Sequence, residues 1–269
     1  VQPRSKEGPV NDVLSALFRW LHVIAGVVWI GMLYYFNFVN GPLAATLDGD
    51  TKKKVVPELM PRALYWFRWG AAWTWITGVL LLGLVFHMGG IMFEAGRGWG
   101  PGAGVMALFV FVAPFVYDPL HKSSLGKDPR SFGAVSFVLV AIVVWLMVGW
   151  AGFSYRAFNI HLGVMFGTIM AWNVWFRIWP AQRQIITAVK NGQPPDAALV
   201  ALAGARSRHN TYMSVPLLWT MIDQHTVAFA GGMLGIPAEW SFAVLLAIVL
   251  LGWHVVFHFY RIAGRVKGF

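Results

Sequence analysis

Residues 21–42 constrain this chain more than any other stretch. Leu21-His22-Val23-Ile24-Ala25-Gly26-Val27-Val28-Trp29-Ile30-Gly31, continuing through Tyr34-Tyr35-Phe36-Asn37 to Pro42, is apolar and carries one imidazole near its start. About 20 such residues in a helix cross a hydrocarbon core of roughly 30 Å, so the run reads as a bilayer span. Gly26, Trp29, Phe36 and Asn40 share a face with His22. A glycine one turn from a histidine leaves a flat gap beside the ring. A planar macrocycle such as haem could lie there, with His22 as an axial ligand. The alternative is a membrane histidine that bonds a neighbouring helix.

The rest of the composition agrees with a membrane setting. Of 269 residues, 58% are hydrophobic, 16% aromatic and only 12% charged, with a mean hydropathy of +0.60, the profile of a polytopic membrane protein. Fifteen tryptophans suit interfacial belts and the walls of a cofactor cavity. A net charge of +10 raises a nucleic-acid partner, but the Lys and Arg residues fall between apolar spans, where they act as topology determinants. No nucleic-acid partner is expected. The chain has no cysteine, which excludes disulfides, iron–sulfur clusters and a covalent c-type haem of the Cys-x-x-Cys-His kind within it. It opens on a polar segment without a signal-peptide core, in keeping with processing or with a longer parent sequence.

The expected fold is an all-α transmembrane bundle of seven, or at most eight, spans. Residues 1–12 form a polar tail, and 13–269 form one helical domain. Spans are expected at 13–39, 62–87, 105–119, 132–152, 157–179, 209–230 and 238–262, with kinking at Pro216. Residues 40–61, holding Lys52-Lys53-Lys54, Pro57 and Pro61, read as a loop, and 88–104 as a Gly-rich loop. An amphipathic cytoplasmic segment is expected near 181–206, its second half a short helix after Pro194-Pro195. The basic loops follow spans 1, 3, 5 and 7, so the N-terminus is expected outside and the C-terminus in the cytoplasm of a bacterial inner membrane.

That topology sorts the eight histidines. His22, His87, His161 and His225 fall in the outer halves of four different spans, while His121, His209, His254 and His258 fall toward the inner side. Facing side chains of a bundle can build a cofactor site, so the outer four are candidate ligands of one or two b-type haems. The alternative is that His87 and His161 sit at the interface as amphipathic rings. Zinc or copper is a weaker alternative, because no carboxylate or sulfur accompanies the four at metal-motif spacing. Asp223, beside His225, could fix its tautomer. His254 and His258, one turn apart, either ligate a metal or belong to an interfacial basic stripe with Arg261 and Arg265.

A second constellation gathers toward the inner ends. Arg68 lies among Tyr65, Trp66, Phe67 and Trp69. Asn173 and Arg177 lie in Trp172-Asn173-Val174-Trp175-Phe176-Arg177, and Arg208 and Asn210 in Ser207-Arg208-His209-Asn210-Thr211. Arginine and asparagine inside apolar spans are costly and usually face a partner in the bundle. Arg68, Asn173, Arg208 and Asn210 therefore suit a planar anionic substrate that stacks on aromatics and offers oxygens to guanidinium groups. For Arg68 and Arg177 the alternatives are snorkelling to headgroups or holding haem propionates.

Leu21–Asn40 (LHVIAGVVWIGMLYYFNFVN), Leu64–Gly78 (LYWFRWGAAWTWITG), Asn173–Gln182 (NVWFRIWPAQ) and Ser207–His225 (SRHNTYMSVPLLWTMIDQH) resemble the membrane domain of bacterial membrane-bound urate hydroxylases, the urate oxidase N-terminal domain family. The resemblance covers nearly the whole chain. The LHxxxGxxWxG opening is shared more loosely with membrane protoporphyrinogen oxidases and copper-resistance membrane proteins. The resemblance implies oxidation of urate to 5-hydroxyisourate, with electrons passed through b haem to a cytochrome c. In typical members that cytochrome is fused at the C-terminus, so a separate acceptor is expected for a chain without Cys-x-x-Cys-His. The competing expectation is a non-catalytic haem-carrying or scaffold subunit of a larger electron-transfer complex. A transporter or copper channel is a third class, disfavoured by methionines that are scattered instead of laddered.

Overall fold

The computed structural model describes residues 9–227 and 237–266. Among them the chain is all-α, with seven long helices: α1 (Val10–Thr46), α2 (Gly49–His87), α3 (Pro101–Lys122), α4 (Pro129–Gly149), α5 (Tyr155–Lys190), α6 (Ala197–Thr226) and α7 (Ser241–Ala263). All but α6 are long and apolar enough to cross a membrane, which marks a multi-pass membrane protein. Helix α6 has the length but not the apolarity. It carries Arg206, Asn210, Thr211, Ser214, Thr220 and Asp223, each fully buried. These six polar groups are turned inward, which lowers the helix's hydropathy without exposing them to lipid.

Several expected boundaries move. Residues 40–61 are not a loop. Helix α1 runs to Thr46, and α2 begins at Gly49, capped by Asp48, whose carboxylate accepts from Asp50 N and Thr51 N (both 2.9 Å) and from Thr51 Oγ1 (2.7 Å). Pro57 and Pro61 lie inside α2. Beyond Pro180 the helix runs on as a helical extension of the fifth span, because Trp179 and Pro180 start a new α-helical stretch directly on the preceding turn; proline is tolerated in a first turn, where its missing N–H is not needed. The short helix ending at Arg206 and the span from His209 are one continuous helix, α6. The end of that expected span, 228–230, lies outside the described residues.

Three helices contain a wider, i→i+5 bonded segment: Tyr35–Asn40 in α1, Leu82–His87 in α2 and Val174–Ile178 in α5. Such π segments are rare and gather at functional sites. Here they hold Asn37 and His87, and the third follows directly on Asn173.

The chain divides into two compact units. One comprises Val1–Ala16, Val79–Ile169 and Pro216–Gly252; the other comprises Leu17–Gly78, Met170–Val215 and Trp253–Phe269. In the second unit α1 and α2 pack antiparallel through small residues. A Cβ added to Gly70 would stand 3.1 Å from Trp29 N, and one added to Gly78 would stand 3.0 Å from His22 Cε1. Gly26 faces Thr74 Cγ2 at 3.8 Å, and Phe36 meets Phe67 edge-on at 5.3 Å. Small residues let membrane helices approach closely where no water-driven attraction acts between them.

In the first unit, the stretch from residue 88 to 100 is knitted to residues 150–154. Ser154 N donates to Met92 O (2.9 Å), Ser154 Oγ to Ile91 O (2.7 Å), and Phe93 and Phe153 form an antiparallel bridge. Gly152 takes a φ of +67°, and the stem of Arg97 covers it, so a side chain there would meet both backbone strain and a clash. Helices α5 and α6 touch at Gly163 and Thr220, and α6 and α7 at Pro216 and Gly252. The bend-prone proline is thus clasped by a glycine.

Candidate functional site

The interior of the second unit holds a directed chain of polar side chains. Arg206, Asn173 and Asn210 are all fully buried. Arg206 Nη1 donates to Asn173 Oδ1 (3.1 Å), Asn173 Nδ2 donates to Asn210 Oδ1 (2.9 Å), and Asn210 Nδ2 donates to Met170 O (3.0 Å). A guanidinium can only donate. It therefore fixes the Asn173 carboxamide with oxygen toward Arg206, and that choice fixes Asn210 in turn. Every dipole in the series points its negative end back toward the cation.

The two other expected arginines lie on aromatic rings. Arg68 stands 4.0 Å from the Trp179 centroid, with Trp175 and Tyr65 at 5.9 and 5.8 Å. Trp175 Nε1 donates to Arg68 O (3.0 Å), which ties α2 to α5. Stacking on tryptophan stabilises a guanidinium without a carboxylate. Arg208 is exposed and lies 5.3 Å from Tyr260, whose hydroxyl donates to Asn37 Oδ1 (2.8 Å). Asn37 Nδ2 donates to Ser207 Oγ and to Leu33 O, both at 2.8 Å. Of the expected four, then, Asn173 and Asn210 touch, Arg68 packs on the tryptophans of the same helix as Asn173, and Arg208 turns to Tyr260. Arg206 occupies the place anticipated for Arg208. Arg177 is half-buried and donates to Phe176 O (3.0 Å).

Among the outer histidines, two meet. His87 Nε2 and His161 Nε2 are 3.3 Å apart, with ring centroids at 5.5 Å and planes 27° apart, so the rings face each other through their Nε2 corners. His161 is fully buried, and its Nδ1 lies 2.7 Å from Ala157 O. A carbonyl only accepts, so the His161 proton sits on Nδ1 and its Nε2 presents a lone pair, to which His87 Nε2–H donates. Phe153 at 4.7 Å and Phe86 at 6.5 Å wall His161, and Trp99 lies 5.5 Å from His87.

His22 belongs to the other unit. Its Nδ1 is 3.1 Å from Thr77 Oγ1, which itself donates to Trp73 O (2.6 Å). The threonine oxygen thus accepts from His22 Nδ1–H and leaves Nε2 basic. Beside Gly26 stands Thr74 of α2, whose Cγ2 would lie 3.8 Å from an added Cβ, so this glycine faces a packed helix. His225 is exposed while Asp223 is fully buried. Asp223 instead accepts from Tyr155 Oη at 2.6 Å. His254 and His258 are exposed, with Nε2 atoms 3.0 Å apart.

His87 and His161 are the residues whose Nε2 atoms would hold a haem iron if this chain binds one. Both Nε2 atoms point along one line, and His161 has the backbone acceptor on Nδ1 that orients metal-bound imidazoles.

A family model described as urate oxidase N-terminal matches residues 9–268. The chain belongs to the urate oxidase N-terminal family. No curated protein and no solved structure matches it. Within this urate oxidase N-terminal chain, three functional candidates escaped the sequence reading: Arg206, Thr77 and Tyr155. Arg206 had a signal, since it stands four residues before Asn210 on one helix face. Thr77 and Tyr155 had none, because a lone hydroxyl in a span gives no hint of its partner.

Proposed function

We propose that this protein is an integral-membrane oxidoreductase that oxidises urate to 5-hydroxyisourate and passes the electrons through b-type haem to a cytochrome c. The observation that carries this reading is the buried Arg206–Asn173–Asn210 chain in a member of the urate oxidase N-terminal family. Urate is a planar anion with carbonyl oxygens and ring N–H groups around its edge. A carboxamide offers one donor and one acceptor side by side, and two aligned carboxamides read such an edge. Arg68, held on Trp179 and Trp175, supplies a second cation and aromatic faces for stacking.

The reaction balances as urate and water giving 5-hydroxyisourate, two protons and two electrons. A haem held by His87 and His161 would supply a one-electron acceptor between substrate and cytochrome. The residues of this chain bind and orient the purine, and the surrounding bundle keeps bulk water from it. By its basic loops the protein sits in a bacterial inner membrane with its N-terminus outside. A second reading rests on the histidine pair alone: a haem-carrying subunit of a larger electron-transfer complex, without a substrate site.

One experiment separates the two. The purified protein is reduced with dithionite, then separately with urate as sole reductant, and reduced-minus-oxidised visible spectra are recorded. A b-type signal produced by urate supports the hydroxylase; one produced only by dithionite supports the electron-transfer subunit. No haem signal at all would overturn the cofactor assignment.

A further inference from the structure

Helix α7 ends in a stripe that the proposed urate site does not use. His254, Phe257, His258 and Arg261 recur at three- and four-residue spacing, so they share one face of the helix. All four are exposed. The nearby exposed positions Phe259 and Ile262 are apolar, in keeping with a helix surface turned to lipid. Two imidazoles on such a surface are costly, and ionisable residues kept within a span point to a function by default.

The two rings are already set for a shared ligand. His254 Nε2 and His258 Nε2 lie 3.0 Å apart, with the ring planes crossed at 76°. Neither ring hydrogen-bonds to any other group among the described residues. One Nε2 carries the proton of that contact; moving it to Nδ1 leaves two Nε2 lone pairs side by side. Two metal–nitrogen bonds of about 2.0–2.1 Å, set at a right or a tetrahedral angle, span about 2.8–3.4 Å. The observed separation falls within that span. Arg261 does not crowd the pair with its charge, because its guanidinium lies 5.7 Å from the centroid of Phe257. Phe257 in turn stacks beside His254 at 6.5 Å, with planes 25° apart. Among the described residues no third histidine or carboxylate joins the two, so most positions around an ion held here stay open.

We propose that His254 and His258 form a two-histidine site for a divalent transition-metal ion, copper(II) before the others, with its remaining positions open to water or to an added ligand. Imidazole suits copper, nickel and zinc, and affinity rises to a maximum at copper(II). Two nitrogens offered from adjacent turns of one helix chelate an ion from one side; they cannot reach opposite faces of a haem. The site is built from residues other than His87 and His161 and stands whether or not the chain binds urate.

The test uses the full chain in detergent, stripped of metal with a chelator and titrated with Cu²⁺ at neutral pH. Wild type should bind one ion tightly per chain, with an EPR spectrum showing two coordinated imidazole nitrogens, and Zn²⁺ should compete only in excess. His254→Ala and His258→Ala should each weaken Cu²⁺ binding by more than the roughly tenfold that loss of an outer-shell partner costs. The double variant should be little worse than either, because one imidazole alone no longer chelates. Both side chains are exposed, so these changes leave the packed interior intact, and the wild-type spectrum decides the matter where a variant fails to fold. A signal from a single imidazole would overturn the proposal. So would Cu²⁺ affinity that survives in the double variant, or that falls only in His87→Ala, which would move the ion to the other pair. Binding confined to millimolar Cu²⁺ would mark an adventitious ion only and overturn it as well.

Discussion

His161 presents a lone pair on Nε2 to His87 Nε2–H across 3.3 Å because its own proton is committed to Ala157 O. Each ring comes from a different helix, and the contact between them runs through the two Nε2 atoms. Replacing His161 with Ala should therefore remove the low-spin b-type signal from the dithionite spectrum. His87→Ala should do the same. Retention of an unaltered spectrum in either variant would take this pair out of the haem assignment.

The Thr77–His22 contact gives a prediction that needs no cofactor. Thr77→Val keeps the shape of the side chain but removes the oxygen that accepts from His22 Nδ1 at 3.1 Å. A buried donor that loses an acceptor costs up to about 1–3 kcal/mol, with the Thr74 carbonyl remaining as a second partner of His22. The variant should be less stable by an amount in that range, measured by thermal unfolding in detergent. His22→Ala should cost less in the Thr77→Val background than alone, because the pair is coupled. Additive effects would show that the hydroxyl serves only the backbone of α2.

These contacts mark where the sequence was legible and where it was not. Apolar runs near bilayer length located the six described helices that are apolar enough to cross a membrane, because hydropathy reports on lipid contact directly. Loop 40–61 was misread because prolines and three lysines mimic a break, while Asp48 and the following Thr51 start a helix just ahead of them. Histidines could be ranked by depth but not by direction around the bundle. Depth grouped four, yet only His87 and His161 meet. Arg206 was hidden by its apparent place at the end of a surface helix; with α6 continuous, it lies within a bundle helix. Asn173 and Asn210 were readable because carboxamides in apolar spans need partners.

Gly163 sits against Thr220, and a Cβ there would run into the threonine Oγ1. Thr220 is fully buried and donates to Leu217 O at 2.7 Å, so it has little room to yield. Gly163→Ala should destabilise the protein by about 1–3 kcal/mol through overpacking. Thr220→Ala, which removes the obstructing oxygen, should recover part of that loss when combined with it. A Gly163→Ala protein with wild-type thermal stability would show that α5 and α6 are less closely packed than this contact requires.

The start of α4 supplies a pH dependence that can be followed outside the membrane. Asp128 accepts from Ser131 Oγ (2.6 Å), Ser131 N (2.9 Å) and Arg130 N (3.3 Å). The Ser131 hydroxyl first, then the two amides, hold its carboxyl below the usual carboxylate range. A depressed folded-state pKa contributes stability that is present above the ordinary carboxylate pKa and is lost as pH falls through the depressed value. The first turn of α4 should therefore stay ordered at neutral pH and fray on acidification below the ordinary carboxylate range. The check is hydrogen exchange at the Ser131 and Phe132 amides, normalised to intrinsic rates across that pH range. In Asp128→Ala the same amides should be less protected at neutral pH, and their protection should no longer respond to acid. An acid response that survives in the variant would assign it to a different carboxylate.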